Sequence, residues 1–374
     1  MFFELQGTLI MTPPNRILLG PGPSDVHPNV LKAMSQPLVG HLDPWFLEFM
    51  SGLQGSLRRL FKTKNEMTFA VSGTGSAGME TCLVNLIEPD DKVLICVNGV
   101  FGTRMVDIAQ RCGAVVDIVE APWGQPIDPT DVIVRLNMSK YKLVAIVHAE
   151  TSTGVRQPSL DVIAKAAHEQ DALFVVDAVT SVGGIDVQVD KWGIDAIYSG
   201  TQKGLSAPPG LSPVSFSPKA MEVITSRKTK ALSWYLDVSM LASYWGEERV
   251  YHHTAPITAL YGLKAAVDVV LYEGLDHCFK RHQENHDIFA RKIESLGFEF
   301  LVDEAFRLPQ LNAIKLPPDI TDEAKLRNKL LHKHNIEVGE GLGEFKGKIW
   351  RVGLMGYSSR KENIDALFDA LNNL

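Results

Sequence analysis

The chain has 374 residues, 45% of them apolar and 22% charged, which suits a protein with a large buried core. Its 37 Lys and Arg against 44 Asp and Glu give a net charge of −7. That balance argues against nucleic-acid backbones and anionic membrane surfaces as partners, because both call for a positive field. No window approaches the ~18 uninterrupted apolar residues of a membrane span. The length exceeds the roughly 250–300 residues at which a single core stops growing, so one large and one smaller domain are expected. Cys82, Cys96, Cys112 and Cys278 show no CxxC spacing and read as reduced, buried thiols. The start, Met1-Phe2-Phe3-Glu4-Leu5, lacks a basic leader and a long apolar run, and the end, Asn372-Asn373-Leu374, is no peroxisomal address. Cytoplasmic placement is the expectation.

Residues 1–19 read as an arm with few helix or strand signals around Pro13-Pro14. The run Leu19-Gly20-Pro21-Gly22-Pro23-Ser24 that follows is too rich in Pro and Gly for a regular element. From about residue 66 short β-rich runs recur at 67–71, 92–97, 115–119, 143–147, 172–176 and 194–198. Helical patterns lie between them at 76–87, 102–112 and 159–170. Strands apolar on both faces and separated by helices predict a parallel sheet covered on both sides. After about residue 255 the order changes. A long helical stretch at 257–296 precedes strands near 298–302 and 312–316, a helix at 321–334, a strand at 348–353 and a helix at 360–373. The expected division is an arm at 1–19, a large domain at 20–272 and a small α+β domain at 273–374.

Three segments carry chemistry. Val71-Ser72-Gly73-Thr74-Gly75-Ser76-Ala77-Gly78 follows a strand and opens a helix. Its glycines, hydroxyls and free amides suit an anion, and the same glycines also suit a plain strand–turn–helix connection. It matches neither GxGxxG nor GxxxxGK[ST], so no dinucleotide or NTP is specified. Asp177 ends the apolar run Leu173-Phe174-Val175-Val176, where open α/β sheets bind ligands; a helix cap or loop turn is the competing reading. Lys203 follows Ile197-Tyr198-Ser199-Gly200-Thr201-Gln202, and desolvation at a strand end would make its amine nucleophilic. All three fall on one rim of one sheet. Together they meet the needs of pyridoxal phosphate: a phosphate anchor, a carboxylate for the ring nitrogen and an amine for the aldehyde.

At this point the sequence resembles the class V, fold type I aminotransferases, close to the alanine–glyoxylate and serine–glyoxylate or serine–pyruvate enzymes. The resemblance runs from Leu19-Gly20-Pro21-Gly22-Pro23 to Trp350-Arg351-Val352-Gly353-Leu354. It includes Tyr198-Ser199-Gly200-Thr201-Gln202-Lys203, Ala207-Pro208-Pro209-Gly210 and Tyr251-His252-His253-Thr254. It implies a mostly parallel seven-stranded sheet sandwiched by helices, a smaller C-terminal α+β domain, and pyridoxal 5'-phosphate as cofactor. Lys203 would be the Schiff-base lysine and general base, and Asp177 the partner of the pyridine nitrogen. Val179 and Phe101 would pack on opposite faces of the ring, and Thr151 would bond its phenolic oxygen. Thr74, Gly75, Ser76 and Gln202 would hold the phosphate, joined by Tyr251 and Thr254 from the second subunit of a homodimer. Arg351 would grip the substrate carboxylate, which a guanidinium can do through two parallel bonds. The animal enzymes usually have Trp in place of Phe101 and His in place of Ser76.

The resemblance implies amino transfer from alanine or serine to glyoxylate by a ping-pong route, with ureidoglycine or another small donor open. A lyase or desulfurase is the alternative within the same cofactor chemistry, and it lacks a cysteine in a mobile Gly-rich loop. A phosphometabolite-binding protein without covalent chemistry is the alternative outside it. No metal site is expected at His252-His253, since adjacent side chains point apart on an extended chain. His148 reads either as a pocket residue or as a satisfied core histidine, and Trp45 as an entrance or interface residue.

Overall fold

The computed structural model describes residues 2–5, 8–318 and 320–373, with side chains from Thr12 onward. Seven short runs pair into one sheet: β1 (Met67–Ser72), β2 (Lys92–Val97), β3 (Val115–Glu120), β4 (Leu143–Val147), β5 (Leu173–Asp177), β6 (Ala196–Tyr198) and β7 (Leu211–Phe216). Their order is β1-β7-β6-β5-β4-β2-β3. The ladders from β6 to β3 are parallel, and β7 alone runs antiparallel to both its neighbours. This is the mostly parallel seven-stranded sheet that the sequence resemblance implies.

Six of the strands lie in runs predicted from the sequence. The seventh, β7, was not predicted, because Leu211-Ser212-Pro213-Val214-Ser215-Phe216 alternates serine with apolar residues and carries a proline that cannot donate to a ladder. It nevertheless lies buried along its whole length. Its serines are satisfied inside the sheet: Ser212 Oγ donates to the Ser199 carbonyl at 2.5 Å, and Ser215 Oγ lies 2.8 Å from Thr68 Oγ1.

The sheet is clothed by helices that include α1 (Pro44–Phe61), α2 (Gly75–Leu86), α3 (Val100–Arg111) and α4 (Leu160–Glu169). The sequence reading passed over α1, although Asp43 caps it through the Trp45 amide at 2.9 Å and Pro44 opens it. The stretch at 257–296 is two helices rather than one, α5 (Ile257–Glu273) and α6 (Leu275–Ser295), broken at Gly274 with φ +89°. The N-terminal residues also depart from expectation: Phe2–Leu5 and Thr8–Met11 pair antiparallel, and Ile17–Leu18 pairs parallel with Ile336–Glu337.

A second sheet contains β8 (Glu299–Phe300), β9 (Leu311–Lys315), β10 (Gly339–Glu340) and β11 (Ile349–Gly353) in the order β8-β9-β11-β10. It packs with helices α6, α7 (Glu323–His334) and α8 (Lys361–Asn372) around Phe289, Ile314, Trp350 and Phe368, and Leu19 inserts into that core. The large sheet has a separate core. Among the described residues no helix is long and apolar enough to cross a membrane.

Helix α2 rests so closely on the sheet that a Cβ at Gly78 would lie 2.0 Å from Ser212 Oγ and 2.9 Å from Tyr198 Cβ. Gly78→Ala is expected to destabilise the fold by about 1–3 kcal/mol through overpacking, read as a lowered thermal midpoint. A midpoint equal to wild type would show that α2 can lift without cost.

Candidate active site

The carboxyl ends of β4, β5 and β6 form one rim, on which Asp177 pairs in register with Val147 and Tyr198. Asp177 is buried. Its Oδ1 accepts from the Val179 amide at 2.8 Å and its Oδ2 from the Tyr198 hydroxyl at 2.9 Å. Burial pushes its carboxyl up to about 7, with Glu150 adding to the rise and the Val179 amide, Tyr198 and Lys203 opposing it. A carboxyl so placed can hold or release a proton at neutral pH.

Lys203 lies just beyond the end of β6 and is also buried. Its Nζ donates to the Pro21 carbonyl, and a Cβ at Gly22, whose φ is +113°, would come within 2.6 Å of that nitrogen. Ser24 completes the roof: its amide donates to the Gln202 carbonyl at 2.9 Å and its hydroxyl to the Lys203 carbonyl at 2.8 Å. Burial and then the Arg351 charge bring the amine down to about 8, against the pull of Asp177 and Glu150. Much of it is therefore neutral at mildly alkaline pH, which a nucleophilic or basic lysine requires.

Arg351, on β11, reaches the same place from the second sheet. Its Nε donates to the Glu340 carbonyl at 2.8 Å and its Nη1 to the Thr151 carbonyl at 3.3 Å. Burial lowers its pKa to about 10, while Glu150 and Glu340 work to keep it charged. The Thr151 hydroxyl is buried 2.5 Å from that of Thr180.

Thr74 precedes α2 without a side-chain cap bond, and the Gly75 and Ser76 amides lie ahead of the first amide, that of Ala77, which bonds back to the Thr74 carbonyl. A Cβ at Gly75 would lie 2.8 Å from Val179 Cγ2, so glycine lets this helix start close against the rim. Ser76 Oγ accepts from Arg104 Nη1 at 3.0 Å, and the Arg104 guanidinium lies 5.0 Å from the centre of the Phe101 ring. Gln202 Oε1 is buried, with no hydrogen-bond partner among the described residues. Such an orphan is costly unless a ligand satisfies it, and an amide flip would turn a donor toward an anion.

Thus Lys203, Asp177, Arg351 and Thr151 meet at the rim, with Val179, Gly75, Ser76, Phe101 and Gln202 around them. Tyr251 and Thr254 do not join them within one chain. Both are exposed, and Tyr251 lies against His41 at 5.2 Å between ring centres. The sequence reading missed four contributors: the Tyr198 hydroxyl, Glu150, Arg104 and the 21–24 roof. Glu150 carried the same signal as Asp177, an acid at the end of an apolar run, and Arg104 lies one turn beyond Phe101.

The remaining singled-out residues stay outside the cluster. His148 is buried edge-on to Trp192 at 5.3 Å, with Nδ1 unpartnered, and lines a separate cavity of about 290 Å³. His252 and His253 face each other at 2.8 Å between Nδ1 atoms, with Trp234 stacked on His252. Among the described residues no group of three or more His, Cys, Asp or Glu is arranged to hold a metal. The four thiols are free and buried, and burial drives all of them upward, Cys96 and Cys278 to about 12.

A buried amine of lowered proton affinity, a buried carboxyl and an open helix N-terminus on one rim fit the aldehyde, ring nitrogen and phosphate of pyridoxal phosphate, and they define an enzyme of that cofactor. The family model for class V aminotransferases matches residues 18–367. The chain is 41% identical to the (S)-ureidoglycine–glyoxylate transaminase of Bacillus subtilis (strain 168), over 96% of this chain and 90% of that one. It is 39% identical to the alanine–glyoxylate aminotransferase of Mus musculus, over 96% of this chain and 87% of that one. Among solved structures, the alanine–glyoxylate aminotransferase of Nostoc sp. superposes with a TM-score of 0.95 at 46% identity, covering 99% of this chain and 97% of that one. The chain belongs to the class V aminotransferase family, and it is a pyridoxal-phosphate-dependent aminotransferase.

With Lys203 as the amine that takes up the cofactor's aldehyde, uptake would need its neutral form. Its rate in cofactor-free protein is expected to rise with pH through about 8 and level off above it, because the neutral form predominates above the lowered pKa. Stopped-flow absorbance on mixing with pyridoxal phosphate checks this. A rise continuing toward the ~10.4 of a solvated lysine would contradict the buried environment.

Proposed function

We propose that this aminotransferase moves the amino group of alanine, or of a similarly small donor such as serine, to glyoxylate, giving glycine and a 2-oxo acid. The observation that carries the reading is the convergence of the Lys203 amine and the Arg351 guanidinium at one buried rim, a base beside a carboxylate clamp. Glyoxylate enters from the names of the three relatives above. The Bacillus relative's name favours one second reading, ureidoglycine as donor.

Bound pyridoxal phosphate supplies an aldehyde that takes up amino groups and a ring that accepts electron density from the substrate α-carbon. The chain supplies the rest. Lys203 Nζ would take the proton from the substrate α-carbon and deliver it across the transferred nitrogen to the carbon that carried the aldehyde. Asp177 keeps the ring nitrogen protonated, held in place by Tyr198 and the Val179 amide. The α2 amides at Gly75 and Ser76, with Thr74 and Gln202, hold the phosphate. Phe101 and Val179 flank the ring, and Thr151 bonds the phenolic oxygen. Arg351 orients the carboxylate of donor and acceptor alike, so one site serves both in turn.

In the same proposal the protein is a homodimer, in which Tyr251 and Thr254 complete the phosphate site of the second subunit; their exposure in the single chain supports this. The division into parts at 20–272 and 273–374 is supported by the helix break at Gly274 and the two separate cores. Cytoplasmic placement is supported by four unpaired cysteines.

A donor-by-acceptor screen tests the reading, with glycine expected from alanine plus glyoxylate and parallel lines in double-reciprocal initial-rate plots. Intersecting lines, or turnover of ureidoglycine alone, would overturn the corresponding part. Arg351→Ala is expected to raise the KM of both substrates about 10–100-fold, the worth of a lost charge-assisted hydrogen bond, with Arg351→Lys recovering only part of it.

A further inference from the structure

Helix α3 starts at Gly99, which has no side chain to cap it. The cap comes instead from Glu150 and Ser152, far along the chain. Ser152 Oγ accepts from the Val100 amide at 3.0 Å, and Glu150 Oε2 accepts from the Phe101 amide at 3.3 Å. The Gly102 amide also favours the charged form of this carboxylate, while burial pushes its proton affinity up. On its other side Glu150 Oε1 accepts from the Ser152 amide at 3.1 Å and from its hydroxyl at 2.6 Å. Gly99 leaves room for this: a Cβ there would lie 2.4 Å from Glu150 Cδ and 2.5 Å from Ser152 Oγ.

Glu150 is fully buried, and among the described residues no cation is bonded to it. A dry carboxylate of this kind is costly unless donors surround it. Here the donors are backbone and hydroxyl groups at the positive end of a helix. The helix it holds carries Phe101 and Arg104, and Arg104 in turn bonds Ser76 at the start of α2. Next to Glu150 in the chain, Thr151 offers the carbonyl that Arg351 uses.

We propose that Glu150 is a positioning residue of this aminotransferase: paired with Ser152, it caps α3 from a neighbouring strand and so fixes the Phe101 ring and Arg104 at the Lys203 site. The inference rests on the cofactor reading above, in which Phe101 flanks the ring. Glu150 also acts through its charge, because with Asp177 it helps Lys203 keep its proton while Arg351 opposes both. Losing that charge leaves the amine neutral at lower pH.

The test compares wild type with Glu150→Gln, Glu150→Ala and Ser152→Ala. Hydrogen exchange in the cofactor-free chain is expected to speed up at least tenfold at the amides of residues 100–102 in both Glu150 variants, with the rest of the molecule unchanged. The cofactor-loaded variants are expected to lose most of the visible circular dichroism that a fixed ring acquires. Their kcat should fall about tenfold or more, with little change in the donor KM. In Glu150→Gln the pH profile of cofactor uptake should move to lower pH, a change that a purely structural cap would not produce. Glu150→Gln keeps the size of the side chain, so these readouts survive if the alanine variant folds poorly. Wild-type exchange at 100–102 in Glu150→Gln overturns the proposal. So does faster exchange with wild-type dichroism, kcat and pH profile. A wild-type chain that takes up no pyridoxal phosphate overturns the parent reading and this one with it.

Discussion

An amine and a carboxyl are both held out of water at the same sheet rim, each bonded to a partner other than the other. Lys203 donates to the Pro21 carbonyl, while Asp177 accepts from Tyr198 and the Val179 amide. Had they paired directly, each would have locked the other in its charged form. Kept apart and dry, they move from opposite ends of the scale toward neutrality, the amine to about 8 and the carboxyl to about 7. Groups whose proton affinities meet near the working pH can pass protons in either direction at small cost. A reaction that must run forward with one substrate and backward with the next needs that property.

This constraint explains the effort spent on one loop. The 199–210 turn is stapled at its base, where the Ser199 and Thr201 amides donate to the Pro213 and Leu211 carbonyls of β7. It is braced across itself by Thr201 Oγ1 to the Pro208 carbonyl at 2.7 Å. Ser24 holds it from the N-terminal side, and Ser206 Oγ accepts from the Tyr357 amide at 2.6 Å on the C-terminal side. The adjoining strand and two distant stretches of chain therefore fix the loop that carries Lys203. A buried lysine has many rotamers to lose and a charge to desolvate, and only such a frame keeps it from turning outward to water.

The parts of the structure legible in the sequence were those where one physical effect dominates. The strands of the parallel sheet are buried on both faces and read as plain apolar runs, and Asp177 and Lys203 stood out as charges at their ends. The strand β7 did not, because its serines find their partners on neighbouring strands and turns only once the sheet exists. Gly99 looked like an ordinary turn glycine, and its reason, a carboxylate arriving from Glu150, is a contact between segments 51 residues apart in number but adjacent in space. The Gly20–Ser24 run announced irregular backbone without announcing what it covers. Resemblance to a family bridged some of this distance, since it named Phe101 and Arg351 for the site, but it was silent on Glu150 and Arg104, which both contact Phe101.

The net charge of −7 is a property of the surface, and the site inverts it locally. Most of the acidic residues that produce it lie in water, where salt screens them beyond about 8 Å. Lys203 and Arg351 are instead surrounded by low-dielectric protein, close to the unpaired amides of α2. Fields there fall off far less, so two cations and a helix end outweigh a larger but solvated excess of carboxylates. The two acids inside the site, Asp177 and Glu150, accept hydrogen bonds from backbone amides, and their charge helps Lys203 keep its proton, with Glu150 doing the same for Arg351. An overall acidic protein can thus present a locally positive pocket to a phosphate and two successive carboxylates. The acids it buries beside that pocket govern where protons sit once the anions are bound.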